Sequence, residues 1–187
     1  DSVLKNFISK LNNYNHISVN NEGTAISLAA GYYLATGKVP CVYMQNSGLG
    51  NAINPLLSLA SREVYSIPIL LIIGWRGELL KNGEQIKDEP QHRHQGKLTC
   101  SQLELIDIEY KIFSKEIFNW QEQLDSLITI AKNQQKPVAM VCKRNTFNEI
   151  SNNTKIKNYQ QNIKINREDV IKTIVELAKE NIPIFST

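Results

Sequence analysis

Glu22 is the residue around which a chemical function can be built. It stands in Asn20-Asn21-Glu22-Gly23-Thr24-Ala25, where a short β-branched run expected as a strand, Ile17-Ser18-Val19, gives way to an Ala-rich segment with helical spacing. Asn21 has the side chain of an N-cap, and Gly37 is a natural helix stop. That puts the carboxylate of Glu22 in the first helical turn, where the helix dipole alone would favour an anion by roughly 0.3–1 kcal/mol. Its neighbours point further. Gly23 lets another surface come close, and the residues behind it are small and apolar, so a poorly hydrated acid is expected at the rim of the fold.

Three other stretches offer polar chemistry. Gln45-Asn46-Ser47-Gly48-Leu49-Gly50-Asn51 packs amides and a hydroxyl into a strand-to-helix turn. Turn and capping chemistry accounts for Ser47 and Asn51, which leaves Gln45 and Asn46, directly off a strand, as the residues expected to face a ligand. Gly48-Leu49-Gly50 invites a dinucleotide reading, but Ile53 occupies the third glycine position and no acid follows the next strand. Between Trp75 and Lys97 the periodicity lapses, and Arg76, Asp88, Glu89, His92, Arg93, His94 and Lys97 fall together. Loops of this length in compact domains are commonly functional. His92 and His94, spaced i, i+2, are either solvated loop residues or acids and anion contacts in a site this loop closes. No third ligand with a suitable context accompanies them, so no metal site is expected.

These stretches need a frame that brings them to one edge. Apolar strands are expected at Val39–Met44, buried on both faces, at Ile67–Ile73, at Tyr110–Phe113 and at Val138–Cys142. Helices are expected at Val3–Leu11, from Glu22 to before Gly37, at Ala52–Tyr65, at Cys100–Ile106 and at Trp120–Asn133. Alternating strands and amphipathic helices give an α/β fold, a parallel open sheet with helices on both faces. In such sheets ligands bind beyond the carboxyl ends of the strands, where Asn20–Gly23, Gln45–Asn51, Gly74–Lys97 and the residues after Cys142 converge.

Composition bounds the rest. A chain of 187 residues with 42% hydrophobic and 21% charged residues suits one well-buried domain and the beginning of a second. The formal net charge of +3 is not a nucleic-acid signature: between Lys143 and Asn166 five basic residues face one acid, so the excess belongs to an Asn/Gln-rich connector. Three cysteines at wide spacings fit neither a disulfide framework nor a zinc site, and reduced thiols in a cytoplasmic protein are expected. No apolar run approaches the ~20 residues of a membrane span. The boundaries read as a domain over 1–145 lacking its N-terminal strand, a polar linker over 146–164, and over 165–187 the truncated start of a second α/β domain, with a helix Arg167–Glu180 and a strand from Pro183.

The motifs Asn21-Glu22-Gly23, Ala29-Ala30-Gly31-Tyr32, Ala35-Thr36-Gly37-Lys38, Tyr43 to Asn51, Asn54-Pro55-Leu56, Gly74-Trp75-Arg76-Gly77 and Asp88-Glu89-Pro90-Gln91-His92 together resemble the phosphonopyruvate decarboxylases, thiamine diphosphate enzymes related to the sulfopyruvate decarboxylases. The likeness covers most of residues 1–142 and implies a pyrimidine-binding domain. It implies that Glu22 contacts the aminopyrimidine ring of the cofactor; Gln45 and Asn46, expected from their place off the strand to face a ligand, are then cofactor-binding candidates. It also implies that Asp1-Ser2 ends a Val-Pro-Asp-Ser motif, which makes Asp1 a catalytic candidate beside His92 and His94. An anionic 2-oxo acid needs cations, and Arg76 and Lys97 are the leading candidates. In the family, magnesium and the diphosphate are held through a Gly-Asp-Gly motif of a second domain, which is absent here, so those ligands are expected outside this segment and no metal ligand within it. The likeness further implies a homo-oligomer with sites between chains. A non-catalytic domain that dimerises or binds a small anion is the alternative from a different class.

Overall fold

A computed structural model describes residues 2–11, 16–80 and 82–148; the second-domain helix and strand and Asp1 lie outside the described residues. Four strands, β1 (Cys41–Gln45), β2 (Leu70–Gly74), β3 (Glu109–Phe113) and β4 (Val138–Cys142), form one sheet in the order β1-β2-β4-β3. Every pairing is parallel, with Gln45 beside Gly74 and Gly74 beside Cys142, so the strand ends line up at one edge.

Helices cover both faces, as expected. Alternation along the strands sends Val42, Met44, Leu71, Ile73, Ala139 and Val141 to one side, against α2 (Glu22–Thr36), α3 (Leu49–Pro55) and α4 (Pro90–Leu105). Ile72, Val138, Met140 and Cys142 go to the other, under α1 (Lys5–Ile8) and α5 (Trp120–Gln134). Burial pushes the Cys142 thiol up to about 12, so it is a packed apolar group there. No helix among the described residues is long and apolar enough to cross a membrane.

Several expected elements move. Ile17–Val19 makes no strand among the described residues and Ile17 is exposed, since β-branched residues form a strand only where a neighbour completes the ladder. The first helix shrinks to one turn, where the Ser9 hydroxyl donates to the Asn6 carbonyl and competes with the helical pattern. β1 is half-exposed at Tyr43 and open at Cys41 because it is an outer strand of the described sheet, so burial on both faces does not hold there. The helix expected at Ala52–Tyr65 begins earlier, at Leu49, and after Pro55 relaxes into a π-helical turn, Leu56–Ala60, before ending.

The largest departure is in the Trp75–Lys97 stretch. Pro90 opens α4 at its first position, ten residues ahead of the expected helix at Cys100–Ile106. The buried face of α4 is His92, Gly96, Thr99 and Leu103, a helical spacing carried mostly by small or polar residues. Gly96 lies so close to Gly77 that a β-carbon would collide with the Gly77 carbonyl, and the Trp75 indole donates to the Gly96 carbonyl over 2.8 Å. The long segment is therefore docked onto the sheet edge by backbone contact.

Candidate active site

α2 begins where the sequence suggests. The Asn21 side chain accepts from the Thr24 amide at 2.8 Å, and Gly37 closes the helix with φ 68°. This capping directs half-buried Glu22 across the turn after β1. There its carboxyl lies directly against Gly48: a β-carbon at Gly48 would sit 2.5 Å from both Cγ and Oε1 of Glu22. Gly23, one residue on, is also held close: a β-carbon there would sit 2.9 Å from the Asn51 carbonyl oxygen. Asn51 donates from Nδ2 to Glu22 Oε2 at 2.9 Å, and Oε1 has no protein partner among the described residues. The site thus presents one oxygen of an oriented carboxyl, over a glycine that leaves room for it.

The turn after β1 divides its two amides. Gln45 is half-buried and donates to Ser47 Oγ at 2.8 Å, staying beside Gly48 at the rim. Asn46 turns inward, contrary to its expected role as a ligand contact. It is 0% exposed, its Nδ2 donates to the Arg76 carbonyl at 3.0 Å and to Thr99 Oγ1 at 2.9 Å, and its Oδ1 accepts from the Arg76 amide. With both amide hydrogens engaged, Asn46 is a strut that ties the ends of β1 and β2 to α4.

Asp88 organises the second half of the edge. Its carboxylate, 3% exposed, accepts a forked pair from Nε and Nη2 of Arg76, the amides of Gly77 and Glu89, and Nη2 of Arg144 at 2.8 Å. The hydrogen-bonded Arg76 guanidinium, with those amides and Arg144, holds the acid well below the usual carboxylate range. Arg76 is correspondingly raised, chiefly by its bond to Asp88, and its Nη1 is 3.2 Å from Ser2 Oγ, which it reaches as donor. Its expected role as an open substrate cation is therefore displaced by a structural one.

The two histidines separate, because a spacing of two on a helix points them to different faces. His92 is buried, with Nε2 3.4 Å from Glu89 Oε2 and Nδ1 buried without a partner among the described residues. His94 and Lys97 are exposed on the outer face of α4 and are not gathered with His92 and Arg76. Among the described residues no cluster of three His, Cys, Asp or Glu side chains could hold a metal ion.

Sequence reasoning passed over Asn51, Thr99 and Arg144. Asn51 looked like a cap, yet Gly48 takes that position for α3 and leaves the amide free for Glu22. Thr99 is visible only once α4 is known to start at Pro90, and Arg144 was hidden in the basic count of the connector. Its place just past the end of β4, at the converging edge, was the available signal.

A family model described as the thiamine pyrophosphate enzyme N-terminal TPP binding domain matches residues 2–103. The chain belongs to the thiamine pyrophosphate enzyme family. Among relatives, a protein of Streptomyces viridochromogenes named phosphonopyruvate decarboxylase is 43% identical over 97 residues, 52% of this chain and 22% of that protein. Sulfopyruvate decarboxylase subunit alpha of Methanococcus maripaludis is 40% identical over 109 residues, 58% of this chain and 59% of the subunit. The corresponding subunit of Methanothermobacter thermautotrophicus is 32% identical over 126 residues, 67% of this chain and 70% of the subunit. This thiamine pyrophosphate enzyme domain thus spans about a fifth of the first relative and more than half of the second. Glu22, Gly48, Asn51 and the Arg76–Asp88 pair all fall inside the family match, whereas Arg144 lies beyond it.

Proposed function

We propose that this chain supplies the pyrimidine-facing half of a thiamine diphosphate-dependent decarboxylase acting on 3-phosphonopyruvate, yielding phosphonoacetaldehyde and carbon dioxide. The observation that carries the reading is the Glu22 carboxyl, fixed by Asn51 and seated on Gly48 with one oxygen uncommitted. A flat heteroaromatic ring with a basic nitrogen fits that arrangement: Oε1 is the oxygen not engaged by Asn51, and the missing β-carbon at Gly48 leaves the acid in place.

When bound, thiamine diphosphate supplies the electron sink that loss of carbon dioxide from a 2-oxo acid requires. The protein supplies the rest. Glu22 shares a proton with the ring nitrogen, Asn51 prevents the carboxyl from rotating away, and Gln45 flanks the turn. Buried His92, whose Nδ1 has no partner among the described residues, is the candidate in this reading to hold or pass a proton. Magnesium and the diphosphate are assigned to residues beyond those described, or to another chain of a homo-oligomer. Asp1 lies outside the described residues, and His94 is exposed on the outer face of α4, so neither carries a step in this reading.

Sulfopyruvate is the second reading, favoured by the subunit alpha relative of which 70% is matched, a name that also points to a partner subunit. Turnover of phosphonopyruvate, sulfopyruvate and pyruvate by the assembled enzyme tests both. Preference for the phosphonate supports the first, preference for the sulfonate the second, and no carbon dioxide from any 2-oxo acid removes the assignment. Calorimetry with thiamine diphosphate and magnesium separates an enzyme half from a non-catalytic domain: weak binding to this chain alone and tight binding once completed is expected of the former.

A further inference from the structure

We propose that Arg144 is the residue that receives the anionic tail of the substrate, an assignment that rests on the decarboxylase reading. A phosphonate or sulfonate calls for a guanidinium whose planar fork is held in place and not already spent. Arg76 meets the second condition less well: Asp88 accepts from its Nε and Nη2, Ser2 from its Nη1, and its side chain is 16% exposed. Lys143 has no fork, and its Nζ donates to the Leu79 carbonyl and lies over the Trp75 ring. Lys97 and His94 project from the outer face of α4, exposed and without a side-chain bond among the described residues.

Arg144 meets both conditions. Its backbone amide donates to Oε2 of Glu78 at 2.6 Å, and Glu78 is buried. Its Nη2 donates to Asp88 Oδ2 at 2.8 Å. The residue is therefore anchored at its main chain and at one end of its fork by two buried carboxylates. The anchoring does not exhaust it. Asp88 Oδ2 already accepts from Arg76 Nε and the Gly77 amide, so the bond to Arg144 is the third on one oxygen and the most readily shared with an incoming anion. The Glu78 carboxylate faces the amide of Arg144, not its guanidinium. Nε and Nη1 of Arg144 have no protein partner among the described residues, and the side chain is 41% exposed.

Placement agrees with the chemistry. Arg144 follows the end of β4 by two residues, and Cys142 lies in register with Gly74 and, through it, with Gln45. Two strand spacings, about 10 Å, separate the exits of β1 and β4. The acid at Gly48 and the guanidinium after β4 thus both follow the carboxyl ends of strands in one sheet, two strand positions apart.

The test uses the assembled enzyme, with Arg144→Gln and Arg144→Lys. Arg144→Gln keeps the backbone bond to Glu78, so the fold is expected to survive, and Arg144→Lys keeps the charge without the fork. Calorimetric titration with methylphosphonate and methanesulfonate, with acetate as the reference, reads tail binding without turnover. The expected result is at least tenfold weaker binding of the tetrahedral anions to Arg144→Gln, with partial recovery in Arg144→Lys. In kinetics, kcat/KM for the anionic 2-oxo acid should fall at least tenfold more than that for pyruvate, chiefly through KM. Equal losses on both substrates, or wild-type enzyme that binds neither tetrahedral anion, would overturn the assignment. Loss of anion binding in Arg144→Gln by a protein that decarboxylates no 2-oxo acid would uphold the anion site and remove the decarboxylase reading instead.

Discussion

Adding one methyl group at Gly48 should disable the site while sparing the fold. The β-carbon of Gly48→Ala would sit 2.5 Å from Cγ and Oε1 of Glu22, and ordinary contact begins at 3.4 Å. The carboxyl must therefore retreat by about 0.9 Å, a misplacement of the size that costs on the order of 100-fold in rate, or about 2.7 kcal/mol of transition-state stabilisation. Since the atoms in the way belong to a half-exposed side chain, moving them should cost under ~1 kcal/mol of stability. The assay pairs kcat for 2-oxo acid decarboxylation with thermal melting of the same preparation. Glu22→Asp supplies a second arm: the shorter acid no longer meets the new methyl, so adding Gly48→Ala to Glu22→Asp should cost much less than it does in the wild-type background. Undiminished kcat in Gly48→Ala, or strictly additive losses in the double variant, would refute a role for the seating of Glu22 on this turn.

Asp88→Asn should destabilise the domain by about 3–5 kcal/mol, the usual cost of leaving a buried charge without its partner, read from the denaturant midpoint. The pH dependence has a definite sign. The folded-state pKa of Asp88 lies far below the ordinary value of 3.8, so its contribution is complete above that pH and fades as pH falls further; Asp88→Asn should flatten the acid limb of the stability curve below about pH 4. Asn46→Ala should cost about 1–3 kcal/mol, read from the denaturant midpoint, because the Arg76 amide loses its acceptor and Thr99 its amide donor. Gly96→Ala should be worse tolerated than Gly48→Ala, since its methyl meets the backbone of Gly77 and not a movable side chain; a melting temperature within a degree of wild type would contradict the docking of α4.

How much of this was legible beforehand depended on what carried the pattern. Strands whose burial is aliphatic, such as Val138–Cys142, could be read to the residue, and α2 could be read because Asn21 and Gly37 have side-chain chemistry suited to its two ends. α4 was not legible as a helix at its N-terminal half, because its packed face uses His92, Gly96 and Thr99, and close backbone approach replaces apolar area there. Ile17–Val19 misled for the opposite reason, having the residue types of a strand and no strand to pair with among those described. Within the site, the contact of Glu22 with the Gln45–Asn51 turn followed from strand-end logic. The fate of each amide did not: Gln45 and Asn46 are adjacent and chemically alike, and only the pleat decides that one reaches the rim and the other Thr99. Likewise, nothing in the order Arg76, Asp88, Arg144 declares that one buried carboxylate gathers both guanidiniums.

The most direct measurement is hydrogen–deuterium exchange at the thiazolium C2 of thiamine diphosphate bound to the assembled enzyme, compared between wild type and Glu22→Gln. A carboxyl that shares its proton with the cofactor ring predicts exchange slowed by two or more orders of magnitude in Glu22→Gln, with thermal stability unchanged. Exchange at the wild-type rate in that variant would contradict the placement of Glu22 at the centre of the chemistry.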